Sequence, residues 1–226
     1  MPLIRAHHLT KTFERGDSVV QVLDDLSLDI ESGDFVALMG PSGSGKSTLL
    51  NLLGGLDRPD TGSIVVGGED LCDLDDDELA GWRARSVGFI FQLYNLLPVL
   101  RARENVELPL RLFGLSARER RRRAELALTL VGLEDRMEHF PSELSGGQEQ
   151  RVAIARAIVT DPTFLLADEP TGDLDPKTSS EILDLLSSLH GRLGKTILMV
   201  THSHTAAERA RSIVHLEKGR IAAGVA

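Results

Sequence analysis

A glycine-rich segment between two apolar runs constrains the fold of this chain more than any other feature. Residues 40–47 read Gly-Pro-Ser-Gly-Ser-Gly-Lys-Ser, the apolar run Phe35–Met39 precedes them, and a leucine-rich run at residues 48–53 follows. The first run is typical of a buried strand and the second of a helix. A strand, a glycine loop and a helix in this order predict an α/β fold, in which the loop stands at the carboxyl edge of a parallel sheet.

The loop has the chemistry of a phosphate-binding loop. Glycine lets backbone N–H groups close around phosphate oxygens, and the N-terminus of the following helix adds roughly half a positive charge. Lys46 would reach the β- and γ-phosphates of a nucleoside triphosphate, and the Ser47 hydroxyl would bind Mg²⁺. A flexible Gly/Ser turn is the alternative, and it does not explain the Gly-Lys-Ser ending. The predicted phosphate-binding residues are Gly40, Ser42, Gly43, Ser44, Gly45, Lys46, Ser47 and Thr48.

A second glycine-rich helix opening lies at residues 144–148, which read Leu-Ser-Gly-Gly-Gln. Ser145 can cap the helix, and Gln148 completes a Ser-x-x-Gln capping box. Capping alone is one explanation, but it leaves Gly146 and Gly147 unexplained, because a glycine in a helix costs about 1 kcal/mol relative to alanine. A phosphate approaching the backbone would explain the pair, which makes Ser145, Gly147 and Gln148 candidate nucleotide ligands. Two anion sites for one nucleotide suggest that two chains share it.

Two carboxylates and a histidine follow apolar runs of the buried-strand type. Asp168 and Glu169 come after residues 164–167, and His202 comes shortly after the run Thr196–Val200. Open parallel sheets bind ligands at the carboxyl ends of their strands, so these side chains would stand near the phosphate loop. A cation is implied, since two carboxylates beside a triphosphate repel it. Asp168 is the predicted metal ligand, and Glu169 is the predicted catalytic base. A solvated strand end and a structural histidine are the alternatives.

These motifs resemble those of the ATP-binding cassette (ABC) ATPases, and the resemblance runs through nearly the whole chain. Residues 144–148 are similar to the family's signature motif, and residues 172–175 match the loop that communicates across its dimer. The resemblance implies that Phe13 stacks on adenine and that Gln92 contacts Mg²⁺ and links the site to a transport partner. ATP and Mg²⁺ are the implied cofactors. The implied catalytic residues are Glu169 and His202, the latter on the γ-phosphate, and the implied metal ligands are Ser47, Gln92 and Asp168.

The same resemblance implies a single ABC ATPase domain over residues 1–226. Its fold is a P-loop NTPase core sheet with an antiparallel β subdomain and an inserted helical subdomain. The expected core comprises residues 1–92 and 161–226, and the expected helical subdomain spans about residues 93–160. The apolar spacing of that last segment is helical, with breaks at Pro98, Pro109 and Pro141.

Within the family, residues 89–98, 104–110 and 169–172 are similar to the lipoprotein-releasing and macrolide-export branch. In that branch the ATPase is a separate chain that pairs with an integral-membrane permease. The resemblance therefore implies an ATP-hydrolysing subunit that forms an ATP-dependent homodimer and powers export or extraction of a lipoprotein, a peptide or a drug-like molecule. At two positions the chain departs from the residues that are frequent in the family: Glu149 stands where glutamine is frequent, and Asp173 where asparagine is frequent. Neither departure removes a catalytic group.

Composition sets limits on location and partners. The formal net charge is −9, and the chain of 226 residues has one Trp and one Tyr, which argues against a nucleic-acid surface. Its apolar runs are far shorter than the roughly 20 residues that cross a bilayer. The N-terminal residues lack the apolar core of a signal peptide, and the single cysteine, Cys72, excludes an internal disulfide. We therefore expect a cytoplasmic protein with no membrane span of its own, held on the inner face of the cell membrane through the permease.

Two other classes of protein share parts of this pattern. Some cassette ATPases act without transport, as scaffolds or regulators of the cell-division type. They are distinguished by whether a permease co-purifies and controls the ATPase activity. A small P-loop kinase would need a phosphate-acceptor pocket, and it gives no reason for the sequence of residues 144–148.

Overall fold

The smaller of the two sheets is antiparallel and lies at the N-terminal end of the chain. The computed structural model of the protein describes residues 2–16 and 18–222. In the smaller sheet the strands β1 and β2 form a long hairpin that is extended by a second, short hairpin. These strands are β1 (Pro2–Arg15), β2 (Ser18–Glu31), β4 (Thr61–Val66) and β5 (Glu69–Asp70), in the spatial order β2-β1-β4-β5.

The larger sheet has a parallel core. Its strands are β3 (Phe35–Met39), β6 (Val87–Phe91), β7 (Phe164–Asp168), β8 (Thr196–Val200), β9 (Ser212–Glu217) and β10 (Arg220–Ile221), in the spatial order β10-β9-β3-β8-β7-β6. All neighbours are parallel except β10, which pairs antiparallel with β9. Because β3, β8 and β7 are adjacent, the segments that leave their carboxyl ends meet at one edge of the sheet.

Five of the α-helices in the described part of the chain begin where a side chain accepts hydrogen bonds from the first helical turn. The accepting side chains are Asp75, Ser116, Ser145, Asp175 and Ser203. The α-helices are α1 (Lys46–Leu53), α2 (Asp76–Ser86), α3 (Ala102–Glu107), α4 (Ala117–Leu130), α5 (Gly146–Ile158), α6 (Pro176–Leu193) and α7 (His204–Ala207). Two short 3-10 helices, Pro109–Leu112 and Pro141–Glu143, begin at prolines, whose missing N–H group and fixed φ suit a helix start.

The parallel sheet is buried on both faces, and its central strand β3 shows how. All five residues of β3 are buried. Phe35 and Met39 pack with the helices α3 to α6 on one face, whereas Val36 and Leu38 pack with α1, α2 and the antiparallel sheet on the other. Burying an apolar side chain of this size contributes about 1.5–3 kcal/mol. The glycine loop therefore leaves a strand that two layers hold in place.

The helices α3, α4 and α5 lie in the segment for which the sequence predicts a helical subdomain. The first of them begins at Ala102, and residues 93–101 form turns rather than helix. The division of the chain into a core and a helical subdomain stays a prediction. Within the described ranges, no helix is long and apolar enough to cross a membrane.

Candidate nucleotide-binding site

The glycine loop connects β3 to α1 and leaves the N-terminus of α1 open. Gly45 occupies the N-cap position of α1 with a φ of 103°, a left-handed conformation that costs glycine little. A Cβ atom at Gly45 would lie 2.8 Å from the carbonyl oxygen of Val22 in β2, so a larger residue does not fit there. Among the described residues no side chain caps α1. The first N–H groups of this helix are therefore available to an anion.

Lys46, the first residue of α1, folds back over the loop. Its Nζ atom donates hydrogen bonds to the carbonyl oxygens of Gly40 at 2.8 Å and Pro41 at 2.9 Å. Burial lowers the pKa of Lys46, and the negative charges of Glu169 and Asp168 oppose that shift. The ammonium group thus lies close to both the loop and the two carboxylates, where a polyphosphate would meet it.

Asp168 is the last residue of β7, and its carboxyl group lies beside the Ser47 hydroxyl group. Burial raises the pKa of Asp168, while the Ser47 hydroxyl group and the charges of Lys46 and His202 oppose that rise. A carboxylate beside a hydroxyl group suits Mg²⁺, which takes few protein oxygens and completes its shell with phosphate and water. Among the described residues, no group of three or more His, Cys, Asp or Glu side chains could hold a metal ion. The carboxylate of Asp168 and the hydroxyl of Ser47 are a small oxygen donor set, which fits a metal that binds together with a nucleotide.

Glu169 and His202 face each other at the carboxyl edge of the parallel sheet. His202 Nε2 lies 2.8 Å from Glu169 Oε1, and 45% of the histidine side chain and 26% of the glutamate side chain are exposed. Glu169 has a φ of 46°, a left-handed conformation that is costly for a residue with a Cβ atom. Its N–H group donates to the carbonyl oxygen of Val200 at 3.0 Å. This bond to β8 keeps Glu169 beside the strand that His202 follows.

A cavity of about 280 Å³ brings most of the predicted phosphate ligands together with Glu169 and His202, the predicted catalytic residues. Gly40 and Ser44 do not line it, although both belong to the loop. The sequence did not indicate Val22, which reaches the cavity because the hairpin packs against the loop. The lining residues are Val22, Ser42, Gly43, Gly45, Lys46, Ser47, Thr48, Glu169 and His202.

Phe13 lies on the same hairpin. It pairs across the strands with Val20, which is two residues before Val22, and it is 42% exposed. The ammonium group of Lys11 lies 5.3 Å from the centre of the Phe13 ring. The hairpin thus places an accessible aromatic ring on the strand pair that borders the phosphate cavity, as adenine stacking would require.

Ser145, Gly147 and Gln148 lie elsewhere, at the start of α5. The Ser145 hydroxyl accepts a hydrogen bond from the Gln148 N–H group at 3.4 Å, and the Ser145 N–H group donates to the Gln148 side chain at 3.0 Å. These bonds form the predicted capping box. The three residues line a cavity of about 400 Å³ whose described lining includes no residue of the glycine loop. In one chain, the signature segment and the phosphate loop are therefore parts of different cavities.

Packing inside the chain explains the two glycines of the signature segment. A Cβ atom at Gly147 would lie 2.3 Å from Thr178 Cγ2 in α6, and one at Gly146 would lie 3.0 Å from the Tyr94 hydroxyl oxygen. Gly147 therefore requires a small residue even without a ligand, whereas a Cβ atom at Gly146 would need the Tyr94 hydroxyl group to move by a few tenths of an ångström. The sequence argument explained the pair by the approach of a phosphate, because contacts between such distant parts of the chain are not visible in the sequence.

Gln92 follows β6 and lies beside residues 172–175. Its Nε2 atom donates to Asp173 Oδ1 at 3.2 Å, and a Cβ atom at Gly172 would lie 2.9 Å from that nitrogen. Gln150 of α5 is fully buried and donates to the carbonyl oxygen of Pro170 at 2.6 Å. Gln92 and α5 thus both contact residues 170–173, the loop after Glu169. The role of Gln92 as a metal ligand stays a prediction.

The glycine loop, the buried lysine and the carboxylates at the sheet edge define this α/β protein as a P-loop nucleotide-binding protein. The family that describes it more closely is visible in the sequence profile. The profile of the ABC transporter family matches residues 23–172. The chain belongs to this family.

Relatives and solved structures agree with that assignment. The macrolide export ATP-binding/permease protein MacB of Brucella melitensis is 50% identical over 97% of the chain. An uncharacterized ABC transporter ATP-binding protein of Thermotoga maritima is 52% identical over 93% of this chain and 90% of its own length. The dimeric, post-hydrolysis structure of the ATP-binding cassette MJ0796 bound to ADP and Pi is 44% identical, has a TM-score of 0.89 and covers 96% of both chains. The chain spans 34% of the length of the MacB relative.

These likenesses confirm two predictions from the sequence. The resemblance to ABC ATPases is confirmed by the family profile and the relatives. The α/β fold class, with its P-loop core sheet, antiparallel sheet and helices, is confirmed by the likeness to the MJ0796 cassette. The roles of the individual site residues are not tested by them and stay predictions.

Proposed function

We propose that this chain is the ATP-hydrolysing subunit of an ABC transporter and powers a separate membrane permease. The transport it serves is export or extraction of a lipoprotein, a peptide or a drug-like molecule. The ATPase proposal rests on one observation: Glu169 and His202 form a pair at the cavity that Lys46 and Ser47 line. Membership of the ABC transporter family and the likeness to MacB support the transport role.

The catalytic pair suits the attack of water on a γ-phosphate. The Glu169 carboxylate would orient the water and accept its proton, and His202 would contact the γ-phosphate. Lys46 would leave the loop carbonyls and bind the β- and γ-phosphates. Mg²⁺, held by Ser47 and Asp168, would neutralise charge on those phosphates. Phe13 would stack on adenine at the other end of the nucleotide.

A homodimer would complete the site. Ser145, Gly147 and Gln148 line a cavity apart from their own phosphate loop. A second copy would therefore place the N-terminus of its α5 against the γ-phosphate, where the positive end of the helix dipole favours an anion. ATP would stabilise this two-fold contact, and hydrolysis would reopen it by removing the γ-phosphate that both copies bind. The dimeric form of the MJ0796 cassette supports this arrangement.

An apolar groove beside the Gln92 segment is the surface that we assign to the permease. The groove has a volume of about 410 Å³ and is lined by Leu56, Phe89 and Leu112, among others. Leu112 is 75% exposed and Leu56 is 48% exposed. The occupant would be a cytoplasmic helix of the permease, because MacB combines ATP-binding and permease functions in a protein of which this chain spans 34%. Asn95 also lines the groove, so a helix seated there would lie close to Gln92.

The remaining proposals concern organisation and place in the cell. Residues 93–160 would act as a helical subdomain on a core of residues 1–92 and 161–226, within one domain of residues 1–226. The protein would work in the cytoplasm, on the inner face of the membrane that contains the permease. Nucleic acid is not expected as a partner, because the net charge of −9 would repel it.

Mg²⁺-dependent ATP hydrolysis by the wild type and by Glu169→Gln tests the proposal, with size-exclusion chromatography of each protein in ATP. We expect slow turnover by the wild type and at least about 100-fold slower turnover by the variant, because general-base catalysis contributes about 10²–10⁴-fold. The variant should form a dimer that persists in ATP. Glu134→Gln, which changes an exposed carboxylate, is the matched control and should behave as the wild type. Normal hydrolysis by a monomeric Glu169→Gln would exclude both the base and the shared site.

A further inference from the structure

The turn that follows Gln92 has an unusual backbone. Tyr94 has a φ of 56° and Asn95 a φ of 51°, so two consecutive residues with Cβ atoms are left-handed. Asparagine tolerates this region, but a bulky aromatic residue does so at a cost. Such strain persists only where surrounding contacts over-determine the conformation. The contacts that hold this turn therefore indicate what it is for.

Arg156 holds the turn from the last helical turn of α5. Its Nη1 atom donates to the carbonyl oxygen of Asn95 at 2.5 Å, and its Nη2 atom donates to the carbonyl oxygen of Tyr94 at 2.7 Å. The planar guanidinium fork binds two adjacent acceptors through two separate nitrogens held in a fixed geometry, whereas a lysine has one nitrogen and no such fixed fork. Burial lowers the pKa of Arg156. The partly buried side chain thus binds two backbone carbonyls.

The side chain of the same turn contacts the opposite end of α5. The Tyr94 hydroxyl oxygen lies 3.0 Å from the position of a Cβ atom on Gly146, the first residue of the helix, and Leu174 lies 3.4 Å from that position. The turn therefore lies against both ends of α5, the signature helix: Arg156 donates to its carbonyls at the C-terminal end, and the Tyr94 hydroxyl group stands over Gly146 at the N-terminal end.

We propose that Arg156 is a positioning residue that joins the Gln92 turn to the signature helix, so that the two move as one body. By keeping Asn95 and Tyr94 left-handed, Arg156 keeps the Tyr94 ring on Gly146, and with it the position of Ser145 and Gly147 for the second copy's nucleotide. The inference rests on the proposed function, because a signature helix needs positioning only if it completes a shared ATP site.

The test uses Arg156→Lys in the full chain. Lysine keeps the positive charge but loses the fork, so the turn should relax and the signature helix should lose its fixed position. We expect kcat for ATP to fall about tenfold or more, which corresponds to about 1.4 kcal/mol in the barrier. The affinity for a fluorescent ATP analogue should stay within about twofold, because the phosphate loop is unchanged. In the Glu169→Gln background, the dimeric fraction in ATP should fall.

Two further variants separate positioning from general stability. Asn95→Gly in addition to Arg156→Lys should recover most of the lost kcat, since glycine adopts the left-handed conformation without the clamp. Arg120→Lys is the matched control, because Arg120 also donates to a backbone carbonyl, that of Leu115 at 2.6 Å, but lies in α4. It should leave kcat unchanged.

A spectroscopic readout is independent of hydrolysis. Tyr94 is the single tyrosine of the chain, so tyrosine labelled with ¹³C at Cζ alone gives one resonance at constant pH. Arg156→Lys should move it toward the position of free tyrosine, and Asn95→Gly should reverse the move. An unchanged resonance together with wild-type kcat would overturn the inference, and so would a loss of kcat that Asn95→Gly does not restore. A wild type without ATPase activity but with the expected shift would instead contradict the proposed function.

Discussion

Gly147→Ala should destabilise the protein for a reason that lies inside one chain. The added Cβ atom would lie 2.3 Å from Thr178 Cγ2. Thr178 cannot easily turn away, because its side chain is β-branched and its Oγ1 atom bonds Asp175 Oδ2 at 2.5 Å. Overpacking of this kind costs about 1–3 kcal/mol, and exchanging a helical glycine for alanine returns up to about 1 kcal/mol. An approach as close as 2.3 Å stands in the upper part of that range, about 2–3 kcal/mol, so the net loss should be about 1–2 kcal/mol, which lowers Tm by about 2–8 °C in a protein of this size.

Thr178→Ser is the matched second change. It removes Cγ2 and keeps the hydroxyl group that binds Asp175, and the next atoms of residue 178 then lie 3.7 Å and 4.0 Å from the new Cβ. Both distances are ordinary van der Waals contacts. The double variant Gly147→Ala, Thr178→Ser should therefore recover the Tm of Thr178→Ser alone. Thermal unfolding followed by circular dichroism measures all four proteins of this cycle.

The same cycle tells internal packing from ligand approach. If Gly147→Ala leaves Tm unchanged, the packing argument is refuted, because two carbon atoms 2.3 Å apart must cost stability. If the double variant regains its stability but still fails to dimerise in ATP in the Glu169→Gln background, a nucleotide of the second copy also needs the space above Gly147. If it regains both, packing against α6 is the whole reason for the glycine.

Two other predictions concern the metal ligand and the groove. Asp168→Asn should raise Tm at neutral pH and abolish Mg²⁺-dependent hydrolysis. Because burial raises the pKa of Asp168, its charge destabilises the folded protein once the pH has risen through that pKa, and the gain in Tm should therefore shrink in acid. A Tm below that of the wild type at neutral pH would contradict the argument. Leu112→Asp should release the chain from the washed membrane fraction of its native cells, because it places a charge in the apolar groove. Leu126→Asp, which changes another exposed leucine, is the control and should not release it. Equal release by both variants would argue against the groove as the permease surface.

The parts of the site that follow buried strands could be predicted from the sequence. The apolar runs at Phe35–Met39 and Thr196–Val200 are the strands β3 and β8, and the run at residues 164–167 lies in β7. Because neighbouring parallel strands end at one edge, the order of strand and polar residue already placed Lys46, Asp168, Glu169 and His202 together. Local patterns suffice for this prediction, since each run needs only its own composition and length.

The parts that depend on contacts between distant residues could not be predicted. Gln92 bonds Asp173, which lies 81 positions away. Residues 93–101 have helical apolar spacing but do not form a helix. The buried Asn105 explains why, because its Nδ2 atom donates to the carbonyl oxygens of Leu97, Leu100 and Arg101 at 3.0–3.2 Å. The Asn105 side chain, which lies in the next helix, satisfies these backbone groups and overrides the helical preference of the segment. The spacing of apolar residues does not reveal such a contact.

The hydrogen bonds of Lys46 would make nucleotide binding an exchange of partners. The ammonium group donates to the carbonyl oxygens of Gly40 and Pro41. In the proposed mechanism a phosphate would replace these bonds, so the gain would be the difference between two sets of charge-assisted hydrogen bonds and smaller than a full ion pair. On product release the same lysine would close again onto its own loop. It would therefore assist release as well as capture, as an enzyme that must turn over repeatedly requires.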